Sequence, residues 1–363
     1  VLQEGNGYPF TSLRGGFTDL PSNMAIGATW NDEYAEAVGT IVGQELRAAG
    51  VNLLLGPSLD VLSEPRPGQG GDLGIRVFGG DPYWVGRMGQ SYIRGVHLGS
   101  AWQVATVAKH VPGLGASDRS LQDEIATVDK SLQDLRLIEL PPFFAVTHGA
   151  PITDTTDALM TAHIRYRGFQ GDVRQFTAPI SFDAEGMATL LELDEFAAWR
   201  QTGLIVSDSL GVPAVRKYID PTLSTFPHRR IAKEAFLAGN DLLLLAQFDL
   251  GNNWGDQLGN IRDTIAFFRD EYQANPTCAA RVDEAVAKIL RLKLRLYREF
   301  DLEAVQVHPD AALQVCGLGG EVTQQIANEA ITLLYPDANA LPAPPRQGEQ
   351  ILIFADARPV RDC

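Results

Sequence analysis

The chain has 363 residues, a formal net charge of −15, and 45% hydrophobic and 21% charged residues, which are the proportions of a globular protein. The acidic balance argues against nucleic acid or an anionic membrane as a partner, because like charges repel. Three cysteines (Cys278, Cys316 and Cys363) are too few and too widely spaced for a disulfide framework or a metal cluster. No apolar run is long enough to span a bilayer.

Apolar strands alternate with amphipathic helices in the first half of the chain. The predicted elements are, in order, helix 30–49, strand 51–56, helix 83–98, strand 103–108 and helix 131–144. The last helix is interrupted near its end by Pro141 and Pro142. Two long polar loops, 60–80 and 113–127, separate these elements. A loop of that length inside a compact domain is more often functional than idle.

The alternation continues in the second half. The predicted elements are strand 158–162, helix 182–199, strand 204–207, helix 230–238, strand 241–246, and helices 261–272, 282–297 and 321–335. Strands that alternate with helices predict a parallel sheet, either open and doubly wound or closed into a barrel. Polar residues follow nearly every strand instead of one central pair, which favours an (α/β)8 TIM-type barrel.

Polar side chains collect where the predicted strands end. The run Ala105-Thr-Val-Ala-Lys109-His110 stops at Pro112 and Gly113, and three other apolar runs end in the same way. Because the carboxyl ends of parallel strands share one edge, this edge is expected to gather Asp60, Lys109, His110, His163 and Asp208. A lysine at the end of a buried strand also requires a partner for its charge.

Each of these residues has an ordinary structural role when it is considered alone. Asp208 could be a nucleophile, a metal ligand or a helix N-cap, and Lys109 could be an ion-pair partner. Histidines at such positions are usually hydrogen-bonded core side chains. The chain contains no phosphate-binding loop, no dinucleotide fingerprint and no His-Glu-x-x-His zinc motif. Only the grouping of these side chains at one edge favours a functional site.

The residues that carry this grouping resemble the ordered motifs of glycoside hydrolase family 3. The matching segments are Gln3-Glu-Gly5, Gly56-Pro-Ser-Leu-Asp60, Arg76-Val-Phe-Gly79, Lys109-His-Val-Pro-Gly113, Ala162-His163, Ser207-Asp208 and Ala238-Gly-Asn-Asp241. Any one of them is modest support, whereas their shared order and spacing are specific. The resemblance covers almost the whole chain.

The resemblance implies a barrel catalytic domain at 1–337, a linker at 338–349 and the beginning of a C-terminal α/β sandwich domain at 350–363. Gln3-Glu-Gly5 resembles the family's motif at the end of the second barrel strand. The chain is therefore expected to begin after the first strand and to stop within a second domain. That second domain of the same polypeptide is an expected partner of the barrel.

The resemblance further implies a retaining exo-β-glycosidase acting on β-glucosides or β-N-acetylglucosaminides. Asp208 would be the nucleophile that forms a covalent glycosyl-enzyme. The side chains expected to bind the carbohydrate substrate are Asp60, Arg76, Lys109, His110 and His163. Nearby cations would also keep Asp208 ionised. No metal or organic cofactor is implied, because two carboxyl groups suffice for the hydrolysis.

Two departures from the family pattern bear on activity. The motif usually has an aspartate before Gln3 that binds sugar hydroxyls, and Leu2 occupies that position. The acid/base element Asp-Ser-His of the N-acetylglucosaminidase branch is replaced by Ser120-Leu-Gln122. Asp118, Asp123 or Glu124 could substitute after a loop shift, although a solvated acidic loop is the simpler interpretation. Branches that cleave β-glucosides take the acid from the second domain.

Two alternatives to a glycosidase remain, and the departures motivate the first of them. One is a catalytically impaired, carbohydrate-binding relative with the same barrel. The other is an unrelated barrel, such as an aldolase that forms a Schiff base on Lys109, which would need a depressed lysine pKa and a carbonyl substrate. The sequence does not select among glucose, xylose and N-acetylglucosamine.

Overall fold

The structure is a computed structural model, and it describes residues 1–350 except 8, 67–70, 72, 175, 298, 300, 301, 308, 334–343, 345 and 349. The predicted linker at 338–349 and the predicted second-domain strand at 350–363 therefore lie outside the described residues, apart from Pro344, Arg346, Gln347, Gly348 and Gln350. The division into domains remains a prediction.

The described strands are short. They are β1 (Leu53–Leu54), β2 (Ala105–Val111), β3 (Ala126–Val128), β4 (Ala158–Thr161), β5 (Ile164–Tyr166) and β6 (Leu204–Ser207). The helices before β6 are α1 (Asn23–Ala28), α2 (Asp32–Ala48), α3 (Pro82–Gly99), α4 (Leu132–Leu137), α5 (Pro141–Ala145), α6 (Ala184–Leu191) and α7 (Asp194–Ala197). The helices after it are α8 (Pro213–Ile219), α9 (His228–Leu237), α10 (Trp254–Ala274), α11 (Pro276–Leu296), α12 (Leu302–Val305), α13 (Pro309–Val315) and α14 (Gly320–Glu329).

The central sheet is parallel, with strand order β1-β2-β4-β6. Thr106 pairs with Leu54, Ala108 with Leu159, and strand β4 continues the register into β6. Every residue of β2, β4 and β6 is buried, as expected for a sheet covered on both faces. The α/β class with a parallel sheet is thus confirmed, while closure into a complete barrel is not seen among the described residues.

Two further segments extend the sheet at its edges. The amino group of Val1 donates to the carbonyl of Leu53 (2.9 Å), and the amide of Leu55 donates to Val1 (2.7 Å). At the opposite edge Leu242 forms a parallel bridge with Val206. The prediction of a strand over 241–246 is too long. Within the described residues of this segment, Leu242 alone pairs as in a strand.

Two predicted helices are each divided in two, and one predicted loop ends in a paired strand. Helix 131–144 splits into α4 and α5 because Pro141 lacks the amide that a continuous helix requires, and it begins α5 instead. Predicted helix 182–199 breaks after Leu191 into α6 and α7. The loop 113–127 ends in β3, which pairs in parallel with β5. Helix α8 was not predicted.

Helices α2 and α3 pack closely because glycines occupy their contact. A Cβ atom at Gly39 would lie 2.2 Å from the carbonyl oxygen of Tyr92, and one at Gly95 would lie 2.1 Å from that of Glu36. These distances are too short for any side chain larger than hydrogen. Helix α3 also contacts strand β2, so this close packing holds the α2–α3 pair against the sheet.

Candidate active site

A cavity of about 560 Å³ lies at the carboxyl ends of the central strands. Its volume falls within the range of about 300–1,000 Å³ that is typical of small-molecule sites. Four of the side chains predicted from sequence line it: Arg76, Lys109, His110 and Asp208. Asp60, His163, Asp118 and Glu124 are not among its described lining residues.

Asp208 follows β6 directly and is half-buried at the cavity wall. The backbone amide of Ser209 donates to its Oδ1 atom (2.7 Å). Burial alone would raise the pKa of Asp208. The imidazoles of His163 and His110, the Ser209 amide and the Lys109 ammonium outweigh burial and lower this pKa. The carboxylate is therefore ionised at neutral pH, as a nucleophile must be.

His110 is held by Asp60. The Nδ1 atom of His110 lies 2.8 Å from Oδ2 of Asp60, whose other oxygen accepts from the amide of Leu114 (2.7 Å). Asp60 also accepts from the Ser58 hydroxyl (2.8 Å) and is wholly buried. Burial opposes its ionisation, but His110 and these donors lower the pKa of Asp60. Asp60 therefore orients His110, and its burial argues against the predicted direct contact with a sugar.

Lys109 and Arg76 share one carboxylate, that of Glu4. Lys109 forms an ion pair with Glu4, and its Nζ also donates to the carbonyl of Leu55 (2.8 Å). The Nε atom of Arg76 donates to Glu4 Oε2 (2.9 Å). Burial would raise the pKa of Glu4, but the two cations lower it to about 2. The sequence predicts a charged partner for Lys109 and places Glu4 in a family-like motif, but only the structure shows that Glu4 is that partner.

His163 is fully buried and close enough to Asp208 to interact with its charge. Its Nε2 atom is 3.0 Å from the carbonyl oxygen of Ser209, and its Nδ1 atom is 2.6 Å from the hydroxyl of Ser181. A carbonyl only accepts, so Nε2 carries the proton and Nδ1 accepts from Ser181. Burial lowers the pKa of His163, which agrees with a neutral ring. His163 supports the Asp208 turn from behind, and its burial argues against the predicted sugar contact.

The two acid/base candidates, Asp118 and Glu124, do not line the cavity, and both are bound by Arg119, which does. The guanidinium of Arg119 donates to both oxygens of Asp118 (3.0 and 2.8 Å) and to Glu124 (3.1 Å). The hydrogen bond from Arg119 lowers the pKa of Asp118, opposite to what a general acid requires. Glu124 instead borders a separate, smaller hollow with Tyr218. Asp118 and Glu124 therefore remain predictions as the acid/base, with neither among the described lining residues of the cavity.

The rest of the cavity wall combines apolar and polar side chains. Leu2, in the position before Gln3-Glu4-Gly5, lines it together with Phe10, Leu55 and Leu73. The loop that supplies Ser120 and Gln122, which stand in place of the acid/base element of the N-acetylglucosaminidase branch, also lines the cavity. Among the described lining residues, Asp208 is the one side chain with a carboxyl group.

No three His, Cys, Asp or Glu side chains of the described residues are placed to hold a metal ion. None of the described helices is both long enough and apolar enough to cross a membrane.

Comparison with known proteins identifies relatives of the whole fold. The family model described as the N-terminal domain of glycosyl hydrolase family 3 matches residues 4–292. A β-N-acetylglucosaminidase/β-glucosidase of Cellulomonas fimi is 27% identical over 349 residues, which is 93% of this chain and 54% of that protein.

Two solved structures are similar in fold and sequence. A family 3 β-N-acetylglucosaminidase of Paenibacillus sp. FPU-7 superposes with a TM-score of 0.68 at 26% identity, covering 90% of this chain and 55% of that one. A β-N-acetylhexosaminidase of Beutenbergia cavernae superposes with a TM-score of 0.62 at 26% identity, covering 80% and 76%. The chain spans about half the length of the curated relatives that it matches over most of its own length.

Proposed function

This chain belongs to glycoside hydrolase family 3, and we propose that it is a retaining exo-β-glycosidase that hydrolyses terminal β-glucosides or β-N-acetylglucosaminides. The observation that carries the proposal is the placement of Asp208. Its carboxylate is ionised, is held by the Ser209 amide, and faces a cavity that also contains Lys109, His110 and Arg76. A sugar ring in that cavity would place its anomeric carbon against this carboxylate.

The reaction would take two displacements. In the first, an oxygen of Asp208 attacks the anomeric carbon, the glycosidic C–O bond breaks, and the leaving oxygen takes a proton from a general acid. In the second, water attacks the same carbon and gives a proton to the general base, and Asp208 leaves as a carboxylate. Two inversions give net retention. His110, Lys109 and Arg76 would hold the sugar hydroxyls during both steps.

The general acid would come from outside the described lining residues. Asp118 and Glu124 accept hydrogen bonds from Arg119 and do not line the cavity. Among the described lining residues, Asp208 has the one carboxylate. We therefore assign the acid to a residue of a second domain, as in the branches that cleave β-glucosides. The domain division at 337 and 350 belongs to this proposal.

We also propose that the sheet is part of an (α/β)8 barrel. The pairing of Val1 with β1 and of Leu242 with β6 extends the four-stranded sheet to six parallel segments. Polar residues at the carboxyl ends of these segments converge on one cavity, which is the arrangement of barrel enzymes. An eight-stranded ring would need two further strands between the two edges, one of them the expected first strand.

Mechanism-based trapping tests the proposed function. Incubation with an activated 2-deoxy-2-fluoro-β-glucoside should add one fluoroglucosyl group to the peptide that contains Asp208, as detected by mass spectrometry. Asp208→Asn should lose the label and the hydrolysis of aryl β-glycosides by several orders of magnitude, because the covalent route is removed. Asp118→Asn is the matched control, which removes a carboxylate outside the cavity and should label normally.

An activated aryl leaving group needs little protonation, so the trapping does not depend on the general acid. Sugar binding without labelling or turnover would instead support the non-catalytic, carbohydrate-binding alternative. The names of the relatives, which are all those of enzymes, do not favour that alternative.

A further inference from the structure

An aromatic patch lies on the surface at the start of helix α3, outside the Asp208 cavity. It consists of Trp30, Tyr83 and Trp84, and the ring centroid of Trp84 is 5.5 Å from that of Trp30 and 5.7 Å from that of Tyr83, in both cases edge to face. Trp84 is half-buried, whereas Trp30 and Tyr83 are 62% and 67% exposed. None of the three is among the described lining residues of the cavity. Two large aromatic side chains are therefore left mostly in water, although their burial would be favourable.

The backbone of Trp30 has a conformation that disfavours a large side chain. Trp30 follows Thr29, the C-cap of α1, and has a φ of 54°. Glycine is the usual residue at such a helix end, because a residue with a Cβ atom is strained in the left-handed region. The amide of Trp30 donates to the carbonyl of Gly27 (3.1 Å), which holds this conformation. Strain of this kind concentrates at ligand sites, and here it presents an exposed tryptophan.

The patch is attached to the segment that supplies Arg76 to the cavity. The side chain of Asn23 in α1 donates to the carbonyl of Arg76 (2.8 Å). A Cβ atom at Gly27 would lie 1.7 Å from the carbonyl oxygen of Phe78, so α1 packs directly on this segment. The same segment continues to Asp81, the N-cap of α3. Both helices that carry the patch are thus fixed to a part of the chain that lines the cavity.

The surroundings of the patch favour a carbohydrate over a membrane or a second copy of the chain. Asp32 and Glu33 follow Trp30, and Asp81 precedes Tyr83, so the patch is flanked by acidic residues that repel an anionic lipid surface. Trp30 and Tyr83 together expose roughly 200–300 Å², whereas each side of a stable protein interface buries about 800 Å². A sugar ring has an apolar face of C–H groups and a rim of hydroxyls, which suits an exposed aromatic ring among polar neighbours.

We propose that Trp30, Tyr83 and Trp84 form a second carbohydrate-binding site, which holds internal sugars of a β-glycan chain by stacking. The choice of a β-glycan rests on the proposed function, because the occupant is taken to be the polymer whose terminal sugars Asp208 would remove. Binding at the patch raises the effective concentration of the polymer at the cavity. It therefore lowers KM for a long substrate and leaves a small aryl glycoside unaffected.

Affinity electrophoresis tests the site with the 363-residue chain. Native gels contain hydroxyethyl cellulose or glycol chitin, and Asp208→Asn is the parent so that the polymers are not degraded. Glucose and N-acetylglucosamine at saturating concentration fill the cavity. Migration should be retarded by at least one polymer, and the retardation should persist with the cavity filled. Trp30→Ala and Tyr83→Ala should each weaken the dissociation constant by at least about 10-fold, as expected for loss of a central aromatic contact.

Two further variants separate binding from folding. Trp254→Ala is the matched control, because Trp254 is 73% exposed but belongs to α10, and it should leave the retardation unchanged. Glycine adopts a φ of 54° without strain, so Trp30→Gly should melt no lower than Trp30→Ala while binding the polymer as weakly. With Asp208 intact, Trp30→Ala should raise KM for the polymer at least about fivefold and change kcat/KM for an aryl glycoside less than about twofold.

The proposal is overturned if neither polymer retards the parent, if filling the cavity abolishes the retardation, or if Trp30→Ala and Tyr83→Ala migrate like the parent. A parent that sediments as a dimer while Trp30→Ala is a monomer would assign the patch to a second copy instead. Binding to phosphatidylcholine vesicles in place of both polymers would likewise overturn it. Failure of the proposed function is a separate result, which appears as absent labelling of Asp208. A chain that is retarded through the patch but never labelled would keep the second site and lose the proposed chemistry.

Discussion

The Nδ1 atom of His110 lies 2.8 Å from the Oδ2 atom of Asp60, although the two residues are 50 positions apart in the chain. Asp60 is a carboxylate and accepts only, so Nδ1 of His110 carries the proton. The opposite ring nitrogen, Nε2, is then left for other partners on a ring that lines the cavity. The orientation of this imidazole is therefore decided by a buried group that does not itself reach the cavity.

Asp60→Asn should impair catalysis by shifting His110, while the other side chains of the cavity stay in place. Asp60 accepts from the hydroxyl of Ser58 and from two backbone amides besides the ring of His110. The amide nitrogen of an asparagine would face one of these donors, so the ring must shift. We expect kcat/KM for an aryl β-glycoside to fall on the order of 100-fold, the cost of misplacing a group by about 1 Å.

Ser58→Ala is the control for this prediction, because it removes one donor and leaves the carboxylate. Its effect on kcat/KM should be several-fold smaller. An Asp60→Asn enzyme with unchanged kinetics would show that the orientation of His110 does not matter for turnover.

Glu4 should make the stability of the fold sensitive to acid. Its pKa is lowered to about 2 in the folded chain from an ordinary value of 4.5. A lowered pKa contributes stability above the unfolded value, and this contribution is lost as the pH falls from about 4.5 toward 2. Glu4→Gln should reduce the free energy of unfolding by about 3 kcal/mol at neutral pH, since it leaves two buried cations without their carboxylate.

Urea unfolding at a series of pH values measures this effect. The difference between wild type and Glu4→Gln should be constant above pH 5 and should shrink below pH 4.5. Glu234→Gln, which removes an exposed partner of Arg230 on α9, is a matched control with little expected effect. A difference that stays constant down to pH 2.5 would contradict the proposed ion-pair linkage.

The acidic loop should be dispensable for proton transfer. Asp118 and Glu124 are bound to Arg119 and do not line the Asp208 cavity. Asp118→Asn and Glu124→Gln should each change kcat/KM by less than about threefold, even for glycosides with poor leaving groups. Loss of a true general acid would cost about 10²–10⁴-fold with such substrates. If kcat/KM falls by that much in either variant, the substituted residue is the general acid.

His163 should act on catalysis through Asp208 and on stability through its own burial. His163→Asn removes the support of the Ser209 carbonyl, and we expect kcat/KM to fall by about 10–100-fold. Because burial lowers the pKa of His163, the neutral ring contributes stability above about pH 6.5, which is lost as the pH falls below that value. Asp208 and His110, which also face this ring, are retained in the variant.

Thermal unfolding between pH 5 and pH 7.5 checks the second part. The melting temperature of wild type should fall more steeply below pH 6.5 than that of His163→Asn. Ser181→Ala, which removes the partner of Nδ1 but keeps the titrating ring, should retain the steep pH dependence. Parallel pH profiles for wild type and His163→Asn would show that His163 does not titrate with folding.

Local patterns in the sequence were enough to predict the alternating α/β class and the edge at which Asp60, Lys109, His110, His163 and Asp208 gather. The reason is that a strand's apolar run and the polar residues that end it are contiguous, and parallel strands bring those ends together. Motif order was likewise sufficient for the family, which the profile match over residues 4–292 confirms. Pairings such as β3 with β5 were missed because each strand has only three residues and carries too little periodicity to be recognised.

Only the tertiary structure decided which of the gathered side chains face the cavity. Lys109, His110 and Asp208 do, while Asp60 and His163 are buried behind them, because each residue's hydrogen-bond partners come from distant parts of the chain. Only the structure likewise shows that Glu4 forms ion pairs with Lys109 and Arg76. It also shows that Arg119 forms hydrogen bonds with Asp118 and Glu124. Charges and hydrogen bonds act through space, so their pairing depends on a packing that residue order does not contain.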